Sequence, residues 1–308
     1  MRKIFGALGP WLALAALLVF CMIGEASFRN PMNYVMLGRQ AAYTGIIALG
    51  MTLVIAAGGI DLSVGSLFAL SGVAALELAP KLGGSPETGL LLTALLAVGC
   101  GLAGGAANGA LVAVWKVPPF IATLGTMSIF RSLGLYFADA GRVAADNPAF
   151  GLVDGNVTIG MLIGFTALFT VMLNLTAFGR HVCAVGSNEK VALYSGIHTG
   201  RVKFMTYLLT GGLCGVSAML WSARLSGISS AGDGMGYELD AIAAVIVGGT
   251  SMSGGRASML GTLAGVLLLV TISSALVAWG VSPNLQNTVK GAVIIVAVLF
   301  QYKKGANR

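Results

Sequence analysis

An all-α, polytopic membrane helix bundle is the fold class this sequence predicts, with about ten transmembrane helices, broken or re-entrant segments, and both termini cytoplasmic. Three observations predict it. Hydrophobic residues make up 56% of the 308 and charged residues only 9%, against roughly 25% charged in an ordinary soluble domain. Windows such as Leu90 to Trp115 lack the polar face a soluble helix needs, and 45 glycines suit closely packed membrane helices. Third, the stretch Gly45 to Ser71 (GIIALGMTLVIAAGGIDLSVGSLFALS) reads as an apolar helix ending at Gly58-Gly59. Asp61 follows, and a second apolar helix starts at once with hydroxyls at Ser63 and Ser66. Backbone freed from helical hydrogen bonding survives in lipid only where protein or a water-lined cavity satisfies it, so this break should face a partner segment or a pathway.

Taken in order, the apolar windows predict spans at 7–24, 40–58, 62–79, 90–115, 119–138, 157–178, 204–223, 239–250, 258–280 and 285–301. Arg2-Lys3 before Gly6 to Ile23 has the look of a secretory signal. Because the remainder is itself polytopic, the stretch reads as an uncleaved first span. The eighth window is short for a crossing of about 20 residues, which leaves nine or eleven spans open. Alternating from an inner start puts Arg2, Lys3, Lys116, Arg180, Lys190, Arg201, Lys203, Arg256, Lys303, Lys304 and Arg308 inside. Arg29, Arg39, Lys81, Arg142 and Arg224 then lie outside. That asymmetry follows the positive-inside rule, and Trp11, Trp115, Trp221 and Trp279 fall near span ends as an interfacial belt requires.

Small-residue ladders mark the fourth span (Gly101, Gly105, Gly109) and the ninth (Gly261, Gly265). Close packing or a passage wall would each use so flat a face, and Asn108 beside the first ladder needs a hydrogen-bond partner in either case. Gly58 to Gly65 (GGIDLSVG) is echoed by Gly248 to Gly255 (GGTSMSGG), which marks a second helix break that could face the first. Asp61 either caps a helix beginning at Leu62 or acts in passage or gating. The cost of burying a charge favours an inner-interface or wet position for it. Arg131 and Lys290 are expected to snorkel to an interface. Glu238 and Asp240 sit at the outer mouth of the eighth span, where they cap it, bind hydroxyls or receive a basic docking surface. The single permease domain, 1–308, carries a cytoplasmic loop at 179–203. In it, Ser187 or Asn188 caps a short amphipathic helix through Tyr194 that Gly196 stops. Such a helix needs a surface to lie on, its own bundle or a partner.

The chemistry of several function classes is missing. His181 and His198 form no ligand pair, the spans hold no paired acid and base, and there is no GxSxG or GxxxxGK[ST]. Cys21, Cys100, Cys183 and Cys214 show no ligand spacing and read as buried free thiols. The net charge of +7 is scattered over loops and does not form a nucleic-acid stripe. No catalytic site, cofactor or metal is expected, and energy must come from a partner or an ion gradient.

GMTLVIAAGGIDLSVGS (Gly50 to Ser66), PPFIATLGTM (Pro118 to Met127), AVGSNEKVALYSGI (Ala184 to Ile197) and ARLSGISSAGDGMGYELDAIAAVIVGGTSMSGG (Ala223 to Gly255) resemble the ribose-type sugar permeases of bacterial ABC importers. The resemblance covers nearly the whole chain. It implies an inner-membrane permease that moves a monosaccharide and pairs with a second permease subunit within membrane lipid. Cytoplasmic ABC ATPase domains would drive it and a periplasmic sugar-binding protein would feed it. Gly186 to Gly196, with Ser187, Asn188, Glu189, Lys190 and Tyr194, would be the coupling helix on the ATPase. Ser63, Ser66, Asn108 and Thr126, together with Asp61, are the expected translocation-pathway residues. Ala57 departs from the family, where a Ser or Thr is common, and leaves the sugar open. The alternative is a stand-alone secondary transporter or channel driven by an ion gradient.

Overall fold

The computed structural model of the chain describes residues 2–282, 285–286, 288–293 and 295, with side chains from Leu8 onward. It is an all-α membrane helix bundle. In chain order the helices are α1 (Arg2–Gly24), α2 (Pro31–Ala56), α3 (Val64–Leu82), α4 (Pro86–Ala113), α5 (Pro119–Phe137) and α6 (Gly155–Leu175). They continue with α7 (Ala177–Ser187), α8 (Glu189–Tyr194), α9 (Thr199–Leu225), α10 (Tyr237–Val247) and α11 (Met259–Ala278). Seven of these, α2 to α6 with α9 and α11, are long and apolar enough to cross a membrane, and α1 adds an apolar stretch over Leu8–Gly24. Of the span expected at 285–301, positions 287, 294 and 296–301 lie outside the described residues.

Polar caps set the helix ends where hydropathy alone does not. Asn30 Oδ1 accepts from Met32 N at 2.9 Å with Pro31 in the first turn, so α2 starts well before the window that predicts it. Arg39 therefore belongs to α2 and not to an outer loop. Asp154 Oδ1 likewise takes the N–H groups of Asn156 (2.9 Å) and Val157 (2.8 Å) at the head of α6. These short side chains satisfy donors that a helix start leaves open.

α2 runs through the centre, with Tyr43, Ile46, Ile47, Leu49, Met51 and Leu53 buried. α4, α5 and α6 form an outer rank and leave Leu91, Leu95, Phe120, Ile121, Ile163 and Leu168 exposed, as lipid-facing surfaces should be. The glycine ladder of α4 lies against α9. A Cβ at Gly105 would run into Tyr207 O, and one at Gly211 would run into Gly101 O. The flat face is therefore a helix crossing and not a passage wall.

At 11 residues, or about 16 Å, α10 spans half a bilayer. Largely irregular backbone joins it to α9. Gly227–Ser229 (β2) pairs antiparallel with Arg142–Ala144 (β1), in the register Val143↔Ile228. The chain then dips until Gly234 O abuts Gly65 at the head of α3. No alternation of three residues announces this ribbon in the sequence. Its anchor is Ile228, fully buried over Gly72.

Candidate functional site

The break after α2 is closed by side chains from three other helices. Ile60 O accepts from Tyr207 Oη of α9 (3.3 Å) and Thr123 Oγ1 of α5 (3.4 Å). Freed backbone is thus satisfied by protein, which is the condition for irregular structure at membrane depth. Asp61 follows and is 1% exposed. Its Oδ1 accepts from Ser63 N at 2.9 Å and Ser63 Oγ at 2.7 Å. Asn108 Nδ2 of α4 donates to Ser63 Oγ at 2.7 Å and lies 3.4 and 3.5 Å from the two Asp61 oxygens. Thr126 Oγ1 of α5 donates to Asn108 Oδ1 at 2.6 Å.

Four of the five expected pathway residues, Asp61, Ser63, Asn108 and Thr126, therefore form one connected network. Ser66 is buried along α3 but is not among its hydrogen-bond partners. Two expectations for Asp61 change. α3 begins at Val64, so Asp61 does not cap a helix starting at Leu62; it accepts from Ser63 in an Asx-type turn, with longer contacts from Asn108 Nδ2. It is also closed off by protein and does not line a wet cavity. No Lys or Arg stands within ion-pair distance of it among the described residues. Dipoles replace a counter-ion, as a buried acid requires.

The second feature is a three-way meeting of backbone. Gly255 N donates to Ala56 O at 3.0 Å, so the two echoed breaks do touch. Gly186 is set into their junction, where a Cβ would overlap Ala56 O and come within 2.7 Å of Gly255 N. Around this point Ala56, Ala57, Val182, Val185, Ala192 and Val202 form a small separate core. Asn188 breaks the segment into α7 and α8 and caps α8 through Val191 N at 3.1 Å. Gly196, at φ +83°, turns the chain away after it. Ser187 is the last residue of α7 and not a cap. α8 buries Ala192 but leaves Val191, Leu193 and Tyr194 exposed, Tyr194 at 86%. Lys190 is also exposed. Glu189 pairs with Lys203 at 2.6 Å, and that hydrogen-bonded ammonium holds its carboxyl below the ordinary carboxylate range.

The remaining charged residues lie elsewhere. Arg131 does not snorkel. Its Nη1 donates to Ser230 O (2.6 Å) and Asp233 O (2.9 Å), which clamps the dipping segment onto α5. Lys290 pairs with Asp240 at 3.0 Å. Glu238 and Asp240 part company, since the Glu238 carboxylate faces Gly65 at the head of α3 while Asp240 lines a cavity with Lys290. Among the described residues no group of His, Cys, Asp and Glu could hold a metal, and all four cysteines are free thiols. Sequence reasoning missed Tyr207, Thr123 and the clamp role of Arg131. The spacing of Thr123 and Thr126 puts both on one face of α5, whereas Tyr207 carries no local signal.

Comparisons with known proteins agree on one class. The family described as branched-chain amino acid transport system / permease component matches residues 33–298. The ribose import permease of Bacillus subtilis (strain 168) is 42% identical, over 97% of this chain and 94% of its own. The ribose import permease of Escherichia coli K12 is 36% identical over 95% and 92%. The galactose/methyl galactoside import permease of the same strain is 34% identical over 97% and 95%. No solved structure gives a significant match. Matched over most of its length both by the family and by these relatives, the chain belongs to this family of transport-system permease components and is a multi-pass protein of the cell membrane.

Proposed function

We propose that this chain is the membrane-spanning subunit of a bacterial ABC importer that moves a monosaccharide, ribose or a close relative, across the inner membrane. It works beside a second permease subunit, homologous or identical. Separate cytoplasmic ATPase subunits drive it, and a periplasmic binding protein delivers the sugar. The import permeases it resembles are named for ribose and galactose, which favours a neutral sugar over the amino acids of the family's description. The lack of any P-loop in the sequence assigns ATP hydrolysis to a partner. Single-domain organisation, with the 179–203 segment as the cytoplasmic contact, belongs to the same reading.

The observation that carries the proposal is the junction at Gly186. α8 offers Val191, Leu193 and Tyr194 to an outside partner, and the far end of the same segment is wedged between Ala56 and Gly255. A force applied to α8 would be delivered to both helix breaks through backbone contacts with no side chain to absorb it. ATP-driven closure of the partner domains would thereby shift α2 and the 248–258 loop together and open the path to one side at a time. Asp61, Ser63, Asn108 and Thr126 would hold the first break as one unit during that motion, with Ser66 beside them.

The test is reconstitution with the cognate ATPase and binding protein. Tyr194→Ala should insert normally but lose retention of the ATPase. Gly186→Val should retain the ATPase yet lose sugar-stimulated uptake. A thiol introduced at position 194 should react from the cytoplasmic side alone. Labelling from the periplasmic side, or uptake by the permease with neither partner present, would overturn the assignment.

A further inference from the structure

Away from the Asp61 network, α2, α9, α10 and α11 line a partly open cavity of about 290 Å³, with Lys290 among its lining residues. Ligand pockets run from roughly 300 Å³ upward and combine apolar walls with a few placed polar groups, so this one is sized for a single small molecule. Its lining is unusual for a bundle this poor in polar residues. Gln40 and Thr44 of α2 supply an amide and a hydroxyl, and the Asp240–Lys290 pair supplies an acceptor and a donor whose charges cancel. Trp221 and Tyr237 supply aromatic surface, their rings 6.2 Å apart and nearly perpendicular. The indole Nε1 of Trp221 is buried and has no hydrogen-bond partner among the described residues. That atom is closed off by protein, so Trp221 borders the cavity with its ring and not with its N–H.

We infer that this cavity is a binding site for one molecule of a neutral polyhydroxylated ligand, a monosaccharide, held within a single permease subunit. The chemistry selects that class. Each hydroxyl both donates and accepts, which matches a wall lined by Asp240, Gln40, Thr44, Ser273 and Lys290. The C–H face of a sugar ring packs on an aromatic plane. A ligand with net charge would find no uncompensated partner, because the ion pair is already closed. The inference rests on the sugar-import reading above and deepens it, since the permease would then hold its cargo at a defined point and contribute to selectivity itself.

The experiment uses the full-length chain in lipid nanodiscs, with ribose, galactose and arabinose as radiolabelled probes and leucine as the control. Saturable binding of one sugar per chain is expected. Gln40→Ala, at an exposed position of α2, and Thr44→Val, which removes only the hydroxyl, should each weaken it about tenfold, the worth of one hydrogen bond. Gln40→Ala should also leave thermal unfolding unchanged. Absence of saturable sugar binding while cells carrying the complete system still import sugar would overturn this site and leave the transport reading standing. Binding of leucine in place of every sugar would overturn both. A phospholipid retained in native mass spectra and displaced by no sugar would assign the cavity to lipid and overturn the site, as would sugar binding indifferent to both substitutions.

Discussion

Removing Asn108 tests whether the residues at the first helix break act as a network. The amide donates to Ser63 Oγ at 2.7 Å and accepts from Thr126 Oγ1 at 2.6 Å, while its contacts with the Asp61 oxygens are long, 3.4 and 3.5 Å. Measured couplings of interhelical hydrogen bonds in membrane bundles average about 0.6 kcal/mol and reach about 1.7. Two short bonds, plus the poorer solvation left to a buried acid, put Asn108→Ala at about 2–4 kcal/mol. Asp61→Ala takes the acceptor from Ser63 N and Ser63 Oγ, at about 1–3 kcal/mol. Ser63 Oγ touches both side chains, so the double variant should be less destabilised than the sum of the singles, by about 1 kcal/mol. Reversible unfolding of the purified chain in mixed micelles, titrated with SDS and followed by circular dichroism, gives all four corners of the cycle. Additivity to within about 0.5 kcal/mol would refute the network and reduce it to separate local bonds.

Other expectations follow from single contacts. Gly105→Leu should prevent α4 from seating on α9, since even a Cβ there meets Tyr207 O; loss of the folded peak in size-exclusion chromatography would show it, whereas Gly105→Ala should survive at a cost of about 1–3 kcal/mol. Arg131→Met keeps much of the stem but removes the Nη1 that holds both Ser230 O and Asp233 O, so protease cleavage within 226–236 should rise several-fold while α5 stays intact. The Glu189–Lys203 contact should give α8 a pH dependence. Its carboxyl is held below the ordinary value of about 4.3 by Lys203, so the contact stabilises at pH above that value and is lost as pH falls through the lower, folded-state one. Protection against hydrogen exchange at 188–196, after correction for the intrinsic rate at each pH, should fall on acidification in the native chain and show no such step in Lys203→Met. The effect should shrink in high salt because Glu189 is 44% exposed.

How legible each part was in the sequence depends on whether its cause was local. Hydropathy finds a span because an apolar run of bilayer length has few other uses, so α3, α5 and α11 fall close to their predicted windows. The same rule misplaces the start of α2, because the first turns of that helix are polar and depend on the Asn30 cap. The eighth window is short because α10 is preceded by irregular backbone, held by Arg131 and set against Gly65 from distant helices. Asp61, Ser63, Asn108 and Thr126 were legible as polar residues with no excuse in an apolar context. Tyr207 was invisible because tyrosine in a membrane helix needs no explanation until Ile60 O requires a donor.

Glycine patterning divides along the same line. The every-fourth spacing in α4 is a local signal for a helix crossing, and α9 answers it with Gly211 and Gly215. Gly186 has no periodic company, and its sequence context reads as an ordinary approach to a cap. Its constraint comes wholly from Ala56 and Gly255, far away in the chain and joined to each other by a backbone hydrogen bond. A side chain there would force apart the two helix breaks that the proposed alternating-access cycle moves as one. Selection at such a site acts through clearance and not through chemistry, which is why a search for reactive residues passes over it. If the two breaks can separate without loss of uptake, as an engineered spacer between Gly249 and Gly255 would reveal, the junction is only a packing contact and the path of force must run through the small core of Val182, Val185 and Ala192 instead.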